Sequence, residues 1–315
     1  MQRRRFLSIA GASLAVAGLP AHHLAARSRT WRWRGIALGA RAELRLVHED
    51  EAAAEAVIER AVAELRRLEA TFSLYDPNSA LSRLNRDGHL PAPPFELLEV
   101  LAEARRVHAL TAGAFDVTVQ PLWQLYRAHF ATGIETPPEA GAIAAALART
   151  GMDAVDFDSR AVTLGRPGMA LTLNGIAQGA IADRLALVLQ EAGIVDTLID
   201  TGEIRALGHR PDGRPWQVGL ADPQGGSPRP VALEKGAIAT SSPAGTLFEP
   251  TGRFHHLIDP RTGYPAAAGP AQVSVQADSA MRADAVSTAL ALRPEAEMPG
   301  PARLGVERVW IVAHA

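Results

Sequence analysis

Two sets of residues in this chain are spaced for chemistry. The run HLIDPRTGYP at 256–265 sets His256 at the entrance to a turn stiffened by Pro260, Gly263 and Pro265. Histidine titrates near neutral pH, so a histidine held by so constrained a turn is a candidate base. Further on, ADAVST at 283–288 places Asp284 and Thr288 four apart, on one face if the segment is helical. A carboxylate and a hydroxyl so placed are hard oxygen donors suited to magnesium. The plainer alternative has Asp284 capping the helix and Thr288 bonding back to a helix carbonyl. His255 and His256 are adjacent, so in an extended segment they point to opposite faces and only one can serve a cleft.

Three further segments could touch a ligand. FSLYDPNSALSRLN at 72–85 is rich in turn formers and offers the Tyr75 ring face. GAFDVTVQPLW at 113–123 puts Asp116 in a loop between apolar residues, where it caps a turn or meets a polar ligand edge. LTLNGIAQGAIAD at 171–183 reads as strand, glycine-containing turn and helix, and backbone N–H groups at such a helix start can cradle phosphate. The Gly-Lys-Ser/Thr ending of a Walker loop is absent.

These segments need elements to hold them. A strand is expected over 31–48 and helices over Glu51–Ala70, Pro94–Leu110, Pro137–Arg149 and Gln178–Ala192. In the first helix Val57, Ala61, Leu65 and Leu68 share a face. Short strands are expected near 154–164, 168–173, 195–200, 204–208, 216–220, 231–233 and 236–240. Asp284 and Thr288 belong to a helix within 280–292. Strands and helices come in runs, which argues for α+β. The expected architecture is two interleaved lobes of mixed or antiparallel sheet with packed helices and a cleft between them.

The chain has 315 residues and a net charge of −2, which gives no electrostatic reason to expect nucleic acid. It has no cysteine, so thiolate chemistry and Cys-ligated metals are excluded. The opening MQRRRFLSIAGASLAVAGLPA has a basic start, a short apolar run and an Ala-rich exit. It reads as a twin-arginine signal peptide over 1–26, with cleavage expected between Ala17 and Ala26 and a single catalytic domain over 31–315. The apolar run is too short to span a bilayer of ~30 Å comfortably. The expectation is a periplasmic protein exported by the twin-arginine route, with no stable membrane span after cleavage.

In order and wording these motifs resemble the ApbE family of flavin transferases, over about Gly35 to Leu292. The resemblance implies a T-fold-like α+β structure and an enzyme that cleaves the pyrophosphate of FAD with Mg2+. It implies transfer of FMN through a phosphoester to a Thr or Ser hydroxyl of an exported acceptor flavoprotein, with release of AMP. Carried over residue by residue, it implies that Leu38, Tyr75, Ala114, Phe115, Asp116, Thr172, Gln178 and Leu257 contact FAD. It implies that Asp284, Thr288 and a backbone oxygen at Gly175 hold magnesium, and that His256 is the base. The signal and the wording DTGEIR at 200–205 are similar to the NosX branch, which serves nitrous oxide respiration.

The chain departs from the family pattern at several of these positions. Thr172 stands where an acidic residue is usual, Gln178 where lysine or glutamate is, and Leu38 where a methionine packs on the cofactor. Thr201-Gly202-Glu203 replaces a more common Gly-Gly-Asp. Two other readings remain beside flavin transfer: a magnesium-dependent FAD pyrophosphatase giving FMN and AMP, and a non-catalytic FAD-binding accessory protein.

Overall fold

The structure is a computed structural model that describes residues 29–266 and 269–314. The twin-arginine segment expected over 1–26 lies outside the described residues.

The stretch expected as one strand over 31–48 is a hairpin. Strands β1 (Arg29–Ala37) and β2 (Ala40–His48) pair antiparallel, with Ala37 opposite Ala40. Leu38 (φ 47°) and Gly39 (φ 86°) make the two-residue turn, both left-handed, as strand twist requires. A leucine where Asn or Asp is usual conceals the turn in the sequence. Helix α1 (Glu51–Phe72) follows, capped by Asp50, whose carboxylate accepts the Ala53 N–H at 2.7 Å. Such a cap stabilises a helix by about 1 kcal/mol. The end of α1 reaches back to the hairpin, where Glu69 accepts the Leu38 N–H at 2.9 Å.

A mainly helical lobe comes next. It holds α2 (Ala80–Asp87), β3 (His89–Pro91), α3 (Phe95–Leu110), α4 (Gln120–Phe130) and α5 (Ala140–Leu147). Strands β4 (Val155–Phe157) and β5 (Ala161–Leu164) join β3 in a small antiparallel sheet. Helix α5 is shorter than the span expected for it, since Pro137 and Pro138 stay outside it. The strand expected over 168–173 does not form. Instead the Asn85 side chain takes both backbone groups of Leu171, at 2.7 and 2.8 Å, as a neighbouring strand would. The Thr172 N–H goes to the Val117 carbonyl at 2.8 Å.

The second lobe is built on α6 (Ala177–Glu191) and a sheet of seven strands. The strands are β1, β2, β6 (Thr197–Asp200), β7 (Ile204–Leu207), β10 (Gly236–Ser241), β11 (Gln272–Ala277) and β12 (Arg308–Val312), in that spatial order. Every pairing in it is antiparallel. Side chains alternate across it with period two. Ile199, Leu207, Ala237 and Ala239 enter the main core, against α1, α6 and α7 (Ala280–Ala291). Leu198, Ala206 and Ile238 face the other way and are covered by Trp216, Val218, Val231 and Leu233 of the hairpin β8 (Trp216–Leu220) and β9 (Arg229–Leu233). A short helix, α8 (Pro301–Leu304), completes the chain's helices among the described residues. None of these helices is long and apolar enough to cross a membrane.

A third apolar cluster joins the lobes. Leu122, Tyr126 and Phe130 of α4 and Ile143 of α5 pack on Phe254 and Ile258. Burying a side chain of this size is worth roughly 1.5–3 kcal/mol. This cluster therefore fixes the segment that carries His256.

Candidate active site

A cleft of about 290 Å³ opens where the lobes meet. Its walls come from 114–123 ahead of and within α4, the turn at 172–178, Glu203 just ahead of β7, the end of β10 with the 242–245 turn, the 256–258 segment, and α7 with Leu292 at its exit. Ala114, Phe115, Asp116, Thr172, Gly175, Gln178, His256, Leu257, Asp284 and Thr288 all line it. Leu38 and Tyr75 do not. Leu38 sits at the tip of the β1–β2 turn, packed on the main core. Tyr75, 71 % exposed, borders an adjoining depression that shares Trp123 with the cleft.

The turn bearing His256 is as constrained as its sequence suggests. Asp259 anchors it: its carbonyl accepts the Gly263 N–H at 2.8 Å and its N–H donates to Tyr264 O at 2.9 Å. Its carboxylate accepts from the Arg261 N–H and guanidinium, at 2.9, 2.8 and 2.6 Å. Tyr126 reaches across from α4 to donate to the Gly263 carbonyl at 3.0 Å. The two histidines part company here. His255 is buried away from the cleft, and burial together with His256 lowers its pKa to about 4. His256 faces the cleft, and its Nδ1 lies 3.2 Å from the Thr246 carbonyl. A carbonyl only accepts, so Nδ1 carries the proton and Nε2 keeps its lone pair. Burial also lowers the His256 pKa, against a rise from the Thr246 contact, so the ring is neutral at pH 7.

Asp284 and Thr288 lie on α7, as their spacing predicts. The helix cap is Ser279, which accepts the Arg282 N–H at 3.2 Å; Asp284 therefore does not cap it. Thr288 meets the Ser241 hydroxyl at 3.2 Å. Burial pushes the Asp284 carboxyl up to about 7, opposed by the Gly179 N–H at 3.3 Å. Glu203, also deep in the cleft, is raised well above the carboxylate range by burial and by the nearby Asp284 charge. Its carboxylate accepts the Thr240 N–H at 3.1 Å. Two buried acids facing one cleft, with little hydrogen bonding to offset them, form a site short of positive charge. Among the described residues no group of three or more His, Cys, Asp or Glu could hold a metal. Any cation here would lean on hydroxyl and carbonyl oxygens beside Asp284.

Two local details bear on readings that the sequence left open. Asp116 lines the cleft, but its oxygens are engaged within the fold. They accept from Thr118 N and Oγ1 at 2.8 and 2.6 Å and from Met152 N at 3.2 Å, as a turn-capping aspartate would. At the start of α6 several of the N–H groups that could cradle phosphate are engaged within the fold. The N–H groups of Ile176 and Ala177 go to Leu173 O at 3.0 and 2.8 Å, and that of Gly179 goes to Asp284. The hydroxyl row Thr240–Ser242, a segment that the sequence also offers for chemistry, lines the cleft, and Glu203 adds to the lining beyond the site residues expected from sequence. Glu203 stood out there only as a departure from a family pattern; its burial beside Asp284 depends on the pairing of β7 with β10.

A sequence model described as the ApbE family matches residues 38–307. An FAD:protein FMN transferase of Haemophilus influenzae is 33% identical over 252 residues, covering 76% of this chain and 73% of the relative. One of Vibrio cholerae is 33% identical over 261 residues, covering 80% of this chain and 74% of the relative. The apo crystal structure of the Pseudomonas stutzeri flavinyl transferase ApbE superposes with a TM-score of 0.78. That structure is 29% identical, and the match covers 91% of this chain and 92% of that one.

Proposed function

This chain belongs to the ApbE family, and from that premise we propose that it transfers the FMN half of FAD to a Thr or Ser hydroxyl of an acceptor flavoprotein, releasing AMP. The observation that carries the reading is the neutral His256, with its Nε2 lone pair free, in one cleft with Asp284 and Thr288. In the step, the acceptor hydroxyl oxygen bonds to the FMN phosphorus. The pyrophosphate P–O bond to AMP breaks, and AMP leaves with the electron pair. His256 Nε2 takes the hydroxyl proton as the new bond forms.

A divalent cation suits this donor set. Asp284 is wholly buried, raised in pKa and neighboured by Glu203, so a cation would offset a charge that the fold leaves largely uncompensated. Asp284, Thr288 Oγ1 and the Gly175 carbonyl would hold Mg2+, which when bound neutralises charge on the pyrophosphate. Leu257 and Phe115 supply apolar wall, and Thr172 and Gln178 supply polar groups along it. Tyr75, in the depression that shares Trp123 with the cleft, would meet the part of FAD that extends past its rim. The Arg3-Arg4-Arg5 opening supports export by the twin-arginine route and an acceptor in the periplasm.

The test is chromatography of soluble nucleotides after incubation with FAD, Mg2+ and a candidate acceptor domain. Transfer predicts AMP released in step with FAD consumed, and no free FMN. Equal FMN and AMP in solution would instead make the protein a pyrophosphatase. Bound but unconsumed FAD would make it an accessory protein.

A further inference from the structure

Behind Thr288 lies a chain of hydroxyls. Thr288 Oγ1 is 3.2 Å from Ser241 Oγ, Ser241 Oγ is 2.8 Å from Ser287 Oγ, and Ser287 Oγ donates to the Asp284 carbonyl at 3.0 Å. Each hydroxyl has one proton to give. The Asp284 carbonyl can only accept, so the Ser287 proton is committed to it. Ser287 must then accept from Ser241, and Ser241 must accept from Thr288. Satisfying all three contacts at once admits this one assignment.

We infer that Ser241 and Ser287 are positioning residues that fix the direction of the Thr288 O–H bond. The Thr288 proton points back to Ser241, which leaves the lone pairs of Oγ1 free for the cleft that Thr288 lines. A hydroxyl so turned is an acceptor, as a cation ligand must be, and cannot present its proton to the cation. Gly175 closes the other side: a Cβ there would come within 2.8 Å of Thr288 Oγ1 and 3.2 Å of its Cγ2, so the backbone lies close against that side chain. Ser287 is wholly buried on α7, and Ser241 ends β10. The relay therefore ties the sheet to the helix at the point where Thr288 leaves it. This inference rests on the assignment of Thr288 as a metal ligand.

The experiment is calorimetric titration of Mg2+ alone into the metal-free full-length protein, with its Ser241→Ala, Ser287→Ala and Ser241→Thr variants. Loss of one hydrogen bond that orders a ligand should weaken Mg2+ binding by roughly 5–10-fold in each alanine variant. Ser241→Thr keeps a hydroxyl and should bind like the unaltered protein. Thermal unfolding of the metal-free variants serves as the control for folding, and Ser287→Ala stands in if Ser241→Ala does not fold. Wild-type affinity in both alanine variants would overturn the relay while leaving the metal assignment intact. No Mg2+ binding by the unaltered protein would overturn both.

Discussion

The backbone N–H of Gly179 donates to Asp284 Oδ2 across 3.3 Å, joining the first turn of α6 to the middle of α7. The approach is close because residue 179 has no side chain. A Cβ there would lie 2.3 Å from the Ala280 carbonyl oxygen and 2.7 Å from the Met281 N. Both are backbone atoms that cannot swing aside. Asp183, one turn further along α6, accepts from Ala280 N and Met281 N, each at 2.9 Å, and from Ser279 Oγ at 2.7 Å. One face of α6 thus sets the position of α7, and with it Asp284 and Thr288.

Gly179→Ala should therefore destabilise the fold by about 1–3 kcal/mol, as overpacking does. It should also weaken Mg2+ binding more than Gly193→Ala, a change at the exit of α6 far from the site. Urea unfolding and metal titration of the two variants give the comparison. A Gly179→Ala protein with unchanged stability would show that the two helices have slack.

The raised pKa of Asp284 sets a pH dependence. The native carboxyl, at about 7, keeps a proton that the unfolded chain releases near 3.8. The native state thus binds more protons between those values, and this contribution to stability is lost as pH rises through about 7. In EDTA, denaturation midpoints should fall from pH 5 to pH 8, and Asp284→Asn should flatten that change. Bound Mg2+ should reverse the trend, because the cation prefers the ionised carboxylate. A midpoint in EDTA that rises over this range, equally in both proteins, would contradict the assignment.

His256 titrates in the other direction. Its pKa is lowered from 6.5, so it is already neutral at pH 7. The acid limb of kcat/KM should lie below pH 6.5, with no further gain from this group above it. A limb centred above pH 7 that disappears in His256→Gln would point to a raised pKa and a different environment.

Tyr75 tests how far FAD extends past the cleft. Its side chain is largely exposed, so Tyr75→Ala should leave the melting temperature within a degree or two. Loss of one aromatic contact of roughly 0.5–1.5 kcal/mol should raise the Kd for FAD by about 2–12-fold. Fluorescence titration of FAD measures this, and an unchanged Kd would remove Tyr75 from the binding site.

Much of the site was legible in the sequence because its parts are local. Pro260, Gly263 and Pro265 announce the turn behind His256, and the i, i+4 spacing of Asp284 and Thr288 needs only a helix. The α+β class followed from elements in runs. Less legible was whatever depended on distant partners. Asn85 standing in for a strand beside Leu171 cannot be read from either segment alone. The left-handed Leu38 hid a hairpin, since side-chain type gave no turn signal there. Asp116 had two readings by sequence, and its bonds to Thr118 and Met152 show where its oxygens go. The burial of Glu203 beside Asp284 arises only when β7 pairs with β10 under α7.

The most direct test of the account is the intact mass of a candidate acceptor after incubation with FAD, Mg2+ and either the unaltered protein or His256→Ala. The account predicts an FMN-sized mass gain with the unaltered protein. With His256→Ala it predicts none, although that variant still binds FAD. An acceptor modified equally by both proteins would contradict the role given to His256, and an acceptor modified by neither, with FAD consumed, would contradict transfer itself.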